Sequence, residues 1–316
     1  MPGADASRNV VRVMHVQLTN ELVAMTALLR TRPRGTTWND IAADVLEHQS
    51  AVAVWNLRAD ASLVADPKHE AALVDAADEV RRWRDGGLDV VTVLDPDYPE
   101  RLLGVHQAPP FLFWRGDLRR HDRAVSVVGS RSASARGIAM ASSIARALAD
   151  AGVTVMSGLA SGVDAAAHRA ALDRGARTVG VIGTGILGSY PTANRELQKE
   201  VGERGLLISQ FWPDAAPTRH SFPMRNATMS GYGLATVVVE ASEHSGTRGQ
   251  ARMAVEHGRA VILTDVVVDA TLWARELVGR PDVHVAHGVD DVVGIVEGLS
   301  DPIDELELLD RLSLNA

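Results

Sequence analysis

The sequence predicts an α/β chain, a doubly wound, mostly parallel sheet preceded by a small helical region. Three observations carry this. Apolar runs at Val125–Val128, Val153–Met156, Thr178–Ile182, Leu206–Ile208, Thr236–Val239 and Val261–Thr264 are continuous rather than alternating, as expected of strands covered on both faces. Stretches of helical period separate them, such as Ile138–Leu148, which is the alternation of a βαβ sheet. Most of the runs end in glycine: Gly129, Gly158 with Gly162, Gly183 with Gly185, and Gly246 with Gly249 after the Thr236–Val239 run. In open α/β sheets the ligand lies outside the carboxyl ends of the strands, so these glycine loops converge on one crevice.

The elements follow in order. Leu18–Leu29 reads as a helix, "TTWNDIAADVLEH" (36–48) as a second with Thr37 as its N-cap, and "HEAALVDAADEVRRWRD" (69–85) as a third. "LDVVTV" (88–93) is a strand, and the proline-punctuated passage 95–118 ends in an apolar aromatic run. The expected organisation is a helical region over 1–86, the sheet domain over 87–298 and an acidic tail over 299–316.

Composition narrows the function classes. With 316 residues, 46% hydrophobic and 23% charged, the chain can bury a substantial core. It has no cysteine, which removes disulfides, thiolate nucleophiles and cysteine-based metal sites and suits a reducing compartment. No signal-peptide pattern opens the sequence, and no apolar stretch reaches membrane-spanning length; the expectation is a cytoplasmic protein without a membrane partner. The net charge is −8, yet residues 121–260 hold 15 basic and 11 acidic side chains, so the centre of the chain is positive. Arginine supplies nearly all of that charge, and its planar fork matches phosphate oxygens.

The first glycine loop, "VVGSRSASARG" (127–137), reads as strand, loop and helix. Backbone N–H groups and the macrodipole favour an anion at such a helix start, with Gly129, Ser130, Arg131 and Arg136 placed to meet it. Arg225 and Asn226 in "FPMRN" form a second compact donor set. Phe222, Phe211 and Trp212 could stack a base or be core aromatics. Asp164, spaced from Ser161 like a capping box, is expected to cap its helix, with His168 one turn on as an orienting or packing residue. Glu240 ends a strand at the crevice mouth and could accept a hydrogen bond from a loop. A nicotinamide or flavin cofactor is not expected: the first loop lacks the G-x-G-x-x-G spacing, and "GTGILG" (183–188) fits it but leads into no helix. Walker A, H-E-x-x-H and G-x-S-x-G are absent, and the histidines do not cluster with carboxylates, so neither a metal site nor a catalytic residue is expected.

"DPDYPERL", "PPFLFWRGDL", "VVGSRSASARG", "VMSGLASGVDAAAHRAAL", "VIGTGILGSYPTAN", "FPMRNATMSG" and "VVVEASEHSGTRGQARMAVEHGR" occur in this order over about residues 89–260. This ordered set resembles the DNA-processing proteins of the DprA (Smf) family. The resemblance implies an extended Rossmann-like fold and a homodimer that binds and protects single-stranded DNA. It further implies loading of the RecA recombinase onto that DNA during uptake and recombination in natural transformation. With the residues already named, it implies a phosphate-binding set that adds Ser157, Gly158, Ser161, Gly162, Gly183, Thr184, Gly185, Ser230, Gly231, Ser245, Gly246, Thr247 and Arg248.

The sequence also departs from that family. Ala227 stands where a second basic residue is usual, Leu187 where an aspartate is usual, and "SGTRGQA" brings in Arg248. No winged-helix pattern follows "VILTD", and the reading expects no such domain here. A second reading is a non-catalytic nucleotide sensor related to the LOG phosphoribohydrolases. Aligned on Gly246-Thr247, their catalytic glutamate is replaced by Gln250, and an amide cannot act as general base.

Overall fold

The computed structural model describes residues 19–60 and 67–299. The chain divides into two compact units: Met1–Tyr98 with Ala108–Leu112, and Pro99–Gln107 with Phe113–Ala316. The expected acidic tail lies outside the described residues, apart from Leu299.

In the first unit, helix α1 (residues 19–30) is followed by α2 (Trp38–His48), α3 (Ala51–Asp60) and α4 (Pro67–Asp85). The capping expectation at Thr37 holds: its hydroxyl accepts from Asp40 N at 3.2 Å while the Asp40 carboxylate accepts from Thr37 N at 2.7 Å, a reciprocal box. Helix α3 was not anticipated. "AVAVWNLRAD" has almost no amphipathic contrast, and its start is held by a residue from another helix: Glu21 accepts from Ser50 Oγ at 2.8 Å and Ala51 N at 2.6 Å. Strand β1 (Asp89–Thr92) neighbours β2 (Phe111–Gly116), whose first two residues share this unit.

The second unit is the sheet. Its strands are β2, β3 (Ala124–Val128), β4 (Thr154–Ser157), β5 (Thr178–Val181), β6 (Leu206–Ser209), β7 (Ala235–Val238), β8 (Ala260–Thr264) and β9 (Val283–Ala286). They lie in the order β2-β6-β5-β4-β3-β7-β8-β9, all parallel except β2, which runs antiparallel to β6. The doubly wound expectation is met at every Val/Ile run, and β3 through β8 are buried along their length. Helices α5 (Glu100–Leu103), α6 (Ala135–Asp150), α7 (Val163–Asp173), α8 (Arg195–Arg204), α9 (Ser221–Tyr232), α10 (Gly246–Glu256), α11 (Asp265–Ala270), α12 (Leu272–Leu277) and α13 (Val289–Gly298) cover it. On one face Ile144 and Leu148 of α6 and Val292 and Val296 of α13 pack on Val125, Val127, Val237 and Ile262 without measurable exposure. Chain order reverses between β3 and β7, which is where a doubly wound sheet opens a crevice.

The opposite end of the strands is locked by one buried carboxylate. Asp122 Oδ2 accepts from Arg177 Nε at 2.9 Å, Arg177 Nη2 at 2.8 Å and the Tyr232 hydroxyl at 2.9 Å, while Oδ1 accepts from Thr154 Oγ1 at 2.6 Å. Its own carbonyl accepts from Arg101 Nη1 at 2.6 Å. One side chain thus ties the starts of β3, β4 and β5 to the end of α9. Asp122→Ala should lower stability by about 3–5 kcal/mol, because Arg177 and Tyr232 stay buried without their acceptor; a urea midpoint near wild type would remove this network from the list of essential ties.

Candidate functional site

A cavity of about 690 Å³ opens at the switch point. The β3–α6 loop contributes Gly129, Ser130, Arg131 and Ser132, α9 contributes Phe222, Arg225 and Asn226, and the start of α10 contributes Ser245, Gly246 and Thr247. A side pocket of about 110 Å³ continues from it, lined by Arg131, Gly158, Ser161, Gly183, Tyr190 and Phe222.

Arg225 is the centre of the site. It is only 6% exposed and reaches from α9 to the ends of β4 and β5, where Nη1 donates to Val181 O at 3.1 Å; its Nε has no protein partner. A Cβ on Gly158 would fall 1.3 Å from Nη1, so glycine is required there by the guanidinium itself. Burial draws the Arg225 pKa down, Asp164 draws it back up and Arg131 opposes that. Asp164 is itself 5% exposed, and burial raises its pKa against the pull of Arg225. Leu159, between Gly158 and Asp164, adopts φ 57°, a costly left-handed conformation fastened by the bond from Asn194 Nδ2 to its carbonyl at 2.9 Å.

Asp164 corrects an expectation. It does not cap its own helix, whose N-cap is Gly162 with no side-chain bond; its Oδ2 accepts from Gly158 N at 3.2 Å and Ala160 N at 3.3 Å, so it closes the preceding loop. His168 packs as expected. Its Nδ1 lies 2.7 Å from Thr178 Oγ1, and that hydroxyl already donates to Val155 O at 2.7 Å, so Nδ1 carries the proton.

An internal carboxylate occupies the start of α6. Glu240 places its carboxylate there, accepting from Ser134 N at 2.9 Å and Ser134 Oγ at 2.5 Å. A Cβ on Gly137 would meet Glu240 Oε2 at 2.3 Å. The favourable anion position at this helix N-terminus is therefore filled by the protein itself, and the open donors face the cavity from Arg131 and from α10.

The other expected residues divide by place. Ser157 is fully buried and its hydroxyl donates to Val127 O at 2.7 Å. Gly162, at φ 78°, lies against Ser130 O and lines a separate groove between α6 and α7. Thr184 is buried, and Gly185 abuts the Trp212 carbonyl. Ser230 donates to Ala227 O at 3.1 Å and bonds His257, and Gly231 packs on Leu102 and Val105. These six are not brought to the cavity wall, because their motifs also build the loops and helix contacts behind it. Arg136 is exposed on α6 and lines none of these concavities, and Arg248 lies on the far face of α10. Phe211 is core, 8% exposed, as one of the two expectations for it allowed.

Two residues were missed. Tyr190, 44% exposed, tilts toward Phe222 at 5.5 Å between ring centroids, and the Arg131 guanidinium lies 5.2 Å from the Phe222 centroid. Its aromatic type beside the "GTG" loop was the available signal. Gln250, noted only as a replaced glutamate, lines the cavity at 2% exposure with neither amide atom partnered.

The family model described as DNA recombination-mediator protein A matches residues 89–283. The chain belongs to this family. It is 38% identical over 172 residues to the DNA processing protein DprA of Streptococcus pneumoniae, 54% of this chain and 60% of the relative. With the Smf protein of Escherichia coli it is 39% identical over 166 residues, 52% of this chain and 44% of the relative. The chain therefore spans about half the length of these curated relatives. Among solved structures, DprA of S. pneumoniae superposes with TM-score 0.69 at 28% identity, covering 87% of this chain and 97% of that one. DprA of Helicobacter pylori, described for its single-stranded DNA binding mode, shares the fold with TM-score 0.60 at 21% identity, covering 67% of this chain and 97% of that one. The matched segment contains the cavity residues from Val128 to Met253.

Two outcomes follow. Glu240→Ala should cost about 1–2 kcal/mol by uncovering the α6 start, measured by urea denaturation; no loss would mean that Ser134 alone caps the helix. Burial pushes the His168 imidazole down to about 3, whereas the unfolded chain titrates near 6.5. The unfolded state therefore binds the extra proton, and stability falls as pH drops from about 6.5 toward 3. Asp164 acts with the opposite sign, so the histidine share is read by difference: His168→Asn should flatten the fall between about pH 6.5 and 4, and an unchanged slope would contradict the buried neutral imidazole.

Proposed function

We propose that this chain is a single-stranded DNA-binding recombination mediator, and that the strand passes through the switch-point cavity. The observation that carries the reading is the pairing of an immobile cation with an exposed aromatic platform. Arg225 is fixed in the wall by Gly158, Val181 and Asp164, while Arg131 lies over Phe222 beside Tyr190 at the mouth. Backbone phosphates meet the arginines and the first turn of α10, and bases stack on Tyr190 and Phe222. Both contacts tolerate any sequence. In this reading Gly129, Ser130, Asn226, Ser245, Gly246 and Thr247 shape the phosphate path.

The reading assigns no chemical step. The cavity carboxylate, Asp164, is engaged with two backbone amides, and Gln250 is neutral. Membership of the DNA recombination-mediator protein A family supports the rest of the proposal: a homodimer in the cytoplasm that protects single-stranded DNA and loads the RecA recombinase onto it. Among the described residues no helix is long and apolar enough to cross a membrane, and none form a metal-binding group. A second reading, a non-catalytic nucleotide sensor, is favoured by the cavity volume of about 690 Å³, within the range of small-molecule sites.

Fluorescence anisotropy with labelled oligothymidylate across a salt series separates the two. Duplex and mononucleotide should fail to displace the oligonucleotide; displacement by mononucleotide would favour the sensor. Arg131→Ala should weaken binding about tenfold and lower the log–log salt slope by about 0.7, the value for one phosphate on a single strand. A slope equal to wild type would remove Arg131 from the backbone path.

A further inference from the structure

Helix α6 lies between α13 on one flank and α7 on the other. Leu299, just past the end of α13, packs beside the core that α6 and α13 share. The last turn of α13 is fastened there, since Arg123 Nη2 donates to Val296 O at 3.1 Å. Arg123 directly precedes β3, whereas the cavity opens past the carboxyl end of that strand. The chain therefore passes residue 299 beside α6, at the end of the sheet remote from the cavity.

The groove on the other flank of α6 holds about 360 Å³. Ile138, Ser142 and Arg146 line it as one stripe of α6, and Ala166, Arg169 and Ala170 line it from α7. Its wall is largely apolar and its exposed rim is cationic, with Asp173 as the one carboxylate in the lining. The other arginines towards that end of the sheet are committed. Arg177 pairs with Asp122 and Asp117, Arg119 with Asp117, and Arg174 with Asp150. Among the described residues Arg146 and Arg169 form no ion pair; Arg146 Nη2 donates to Ser143 Oγ at 3.4 Å, within its own helix.

The segment that follows Leu299 has the matching chemistry. "SDPIDELELLDRLSLNA" (300–316) carries five carboxylates against the single Arg311, interleaved with Ile303, Leu306, Leu308, Leu309, Leu312 and Leu314. We propose that this acidic segment crosses the end of α6 and lies in the α6–α7 groove, with leucines on the Ile138 and alanine wall and carboxylates on Arg146 and Arg169. The reach suffices. Crossing one helix takes about 10 Å and the stripe from Ile138 to Arg146 rises about 12 Å, which about seven extended residues span. Exposed ion pairs contribute little individually, so apolar burial supplies most of the hold and the two arginines fix the place. The proposal is independent of what the cavity binds.

The chain has no cysteine, so engineered pairs report the position of the segment without background. Ser142→Cys in the groove and, for comparison, Ser132→Cys at the cavity are each combined with Leu306→Cys or Leu309→Cys. Intramolecular disulfide closure in dilute full-length protein is followed by alkylation and intact mass. The groove pairs should close about tenfold faster than the cavity pairs. Adding Arg146→Glu/Arg169→Glu should slow the groove pairs about tenfold, as loss of two exposed ion pairs implies, and Arg146→Gln/Arg169→Gln should slow them less. Both arginines are exposed, and an unchanged urea midpoint of the reduced variants confirms the fold. The proposal is overturned if neither groove pair outpaces its cavity counterpart, or if charge reversal leaves the groove rate unchanged. Faster closure at the cavity would place the acidic segment on Arg131 instead. No nucleic acid enters the measurement, so its failure leaves the single-strand reading standing.

Discussion

A buried guanidinium sets the terms for this site. Removing a cation from water carries a cost that only close partners offset, and the wall around Arg225 is built to supply them. Gly158 follows β4, where a Cβ would collide with Nη1. Asp164 faces the guanidinium while holding Gly158 N and Ala160 N, so one carboxylate both balances the charge and shapes the loop. Leu159 accepts a left-handed backbone between them. The Arg225 Nε is left without a protein partner, so the cation is positioned by the fold without being exhausted by it.

A second charge explains what the cavity does not do. The β3–α6 turn has the form of a phosphate-binding loop, but Glu240 from the end of β7 already occupies the helix start. Glu240 joins the two strands that flank the switch point: its carboxylate holds Ser134, and its backbone carbonyl accepts from Ser130 N at 2.7 Å. The loop is thereby made rigid, and Arg131 projects from it toward Phe222. The donors left open to the cavity are arginine side chains and the start of α10.

Far from the cavity, Asp122 gathers the starts of three strands and the end of α9. The helix that carries Arg225 is therefore anchored at its last residue, Tyr232, by the carboxylate that locks the sheet. Stability and the geometry of the cavity wall share one framework, which holds the Arg225 guanidinium at a fixed position.

The sequence alone determined the sheet, because continuous Val/Ile runs, helical periods and strand-end glycines are local patterns that parallel β-strands impose directly. It also determined which loops meet, since a doubly wound sheet brings its carboxyl ends together. It could not separate glycines and serines that face the cavity from those that pack behind it: Gly158 and Gly231 look alike until Arg225 and Val105 are seen beside them. Helix α3 was illegible because its N-terminus is held by Glu21, 30 residues earlier. Glu240 does accept from the β3–α6 loop as its place at the crevice mouth suggested, but the partners of Asp164 were decided by tertiary structure: a charged side chain's partner is chosen by distance in space, and sequence spacing records only the partners within one helix turn.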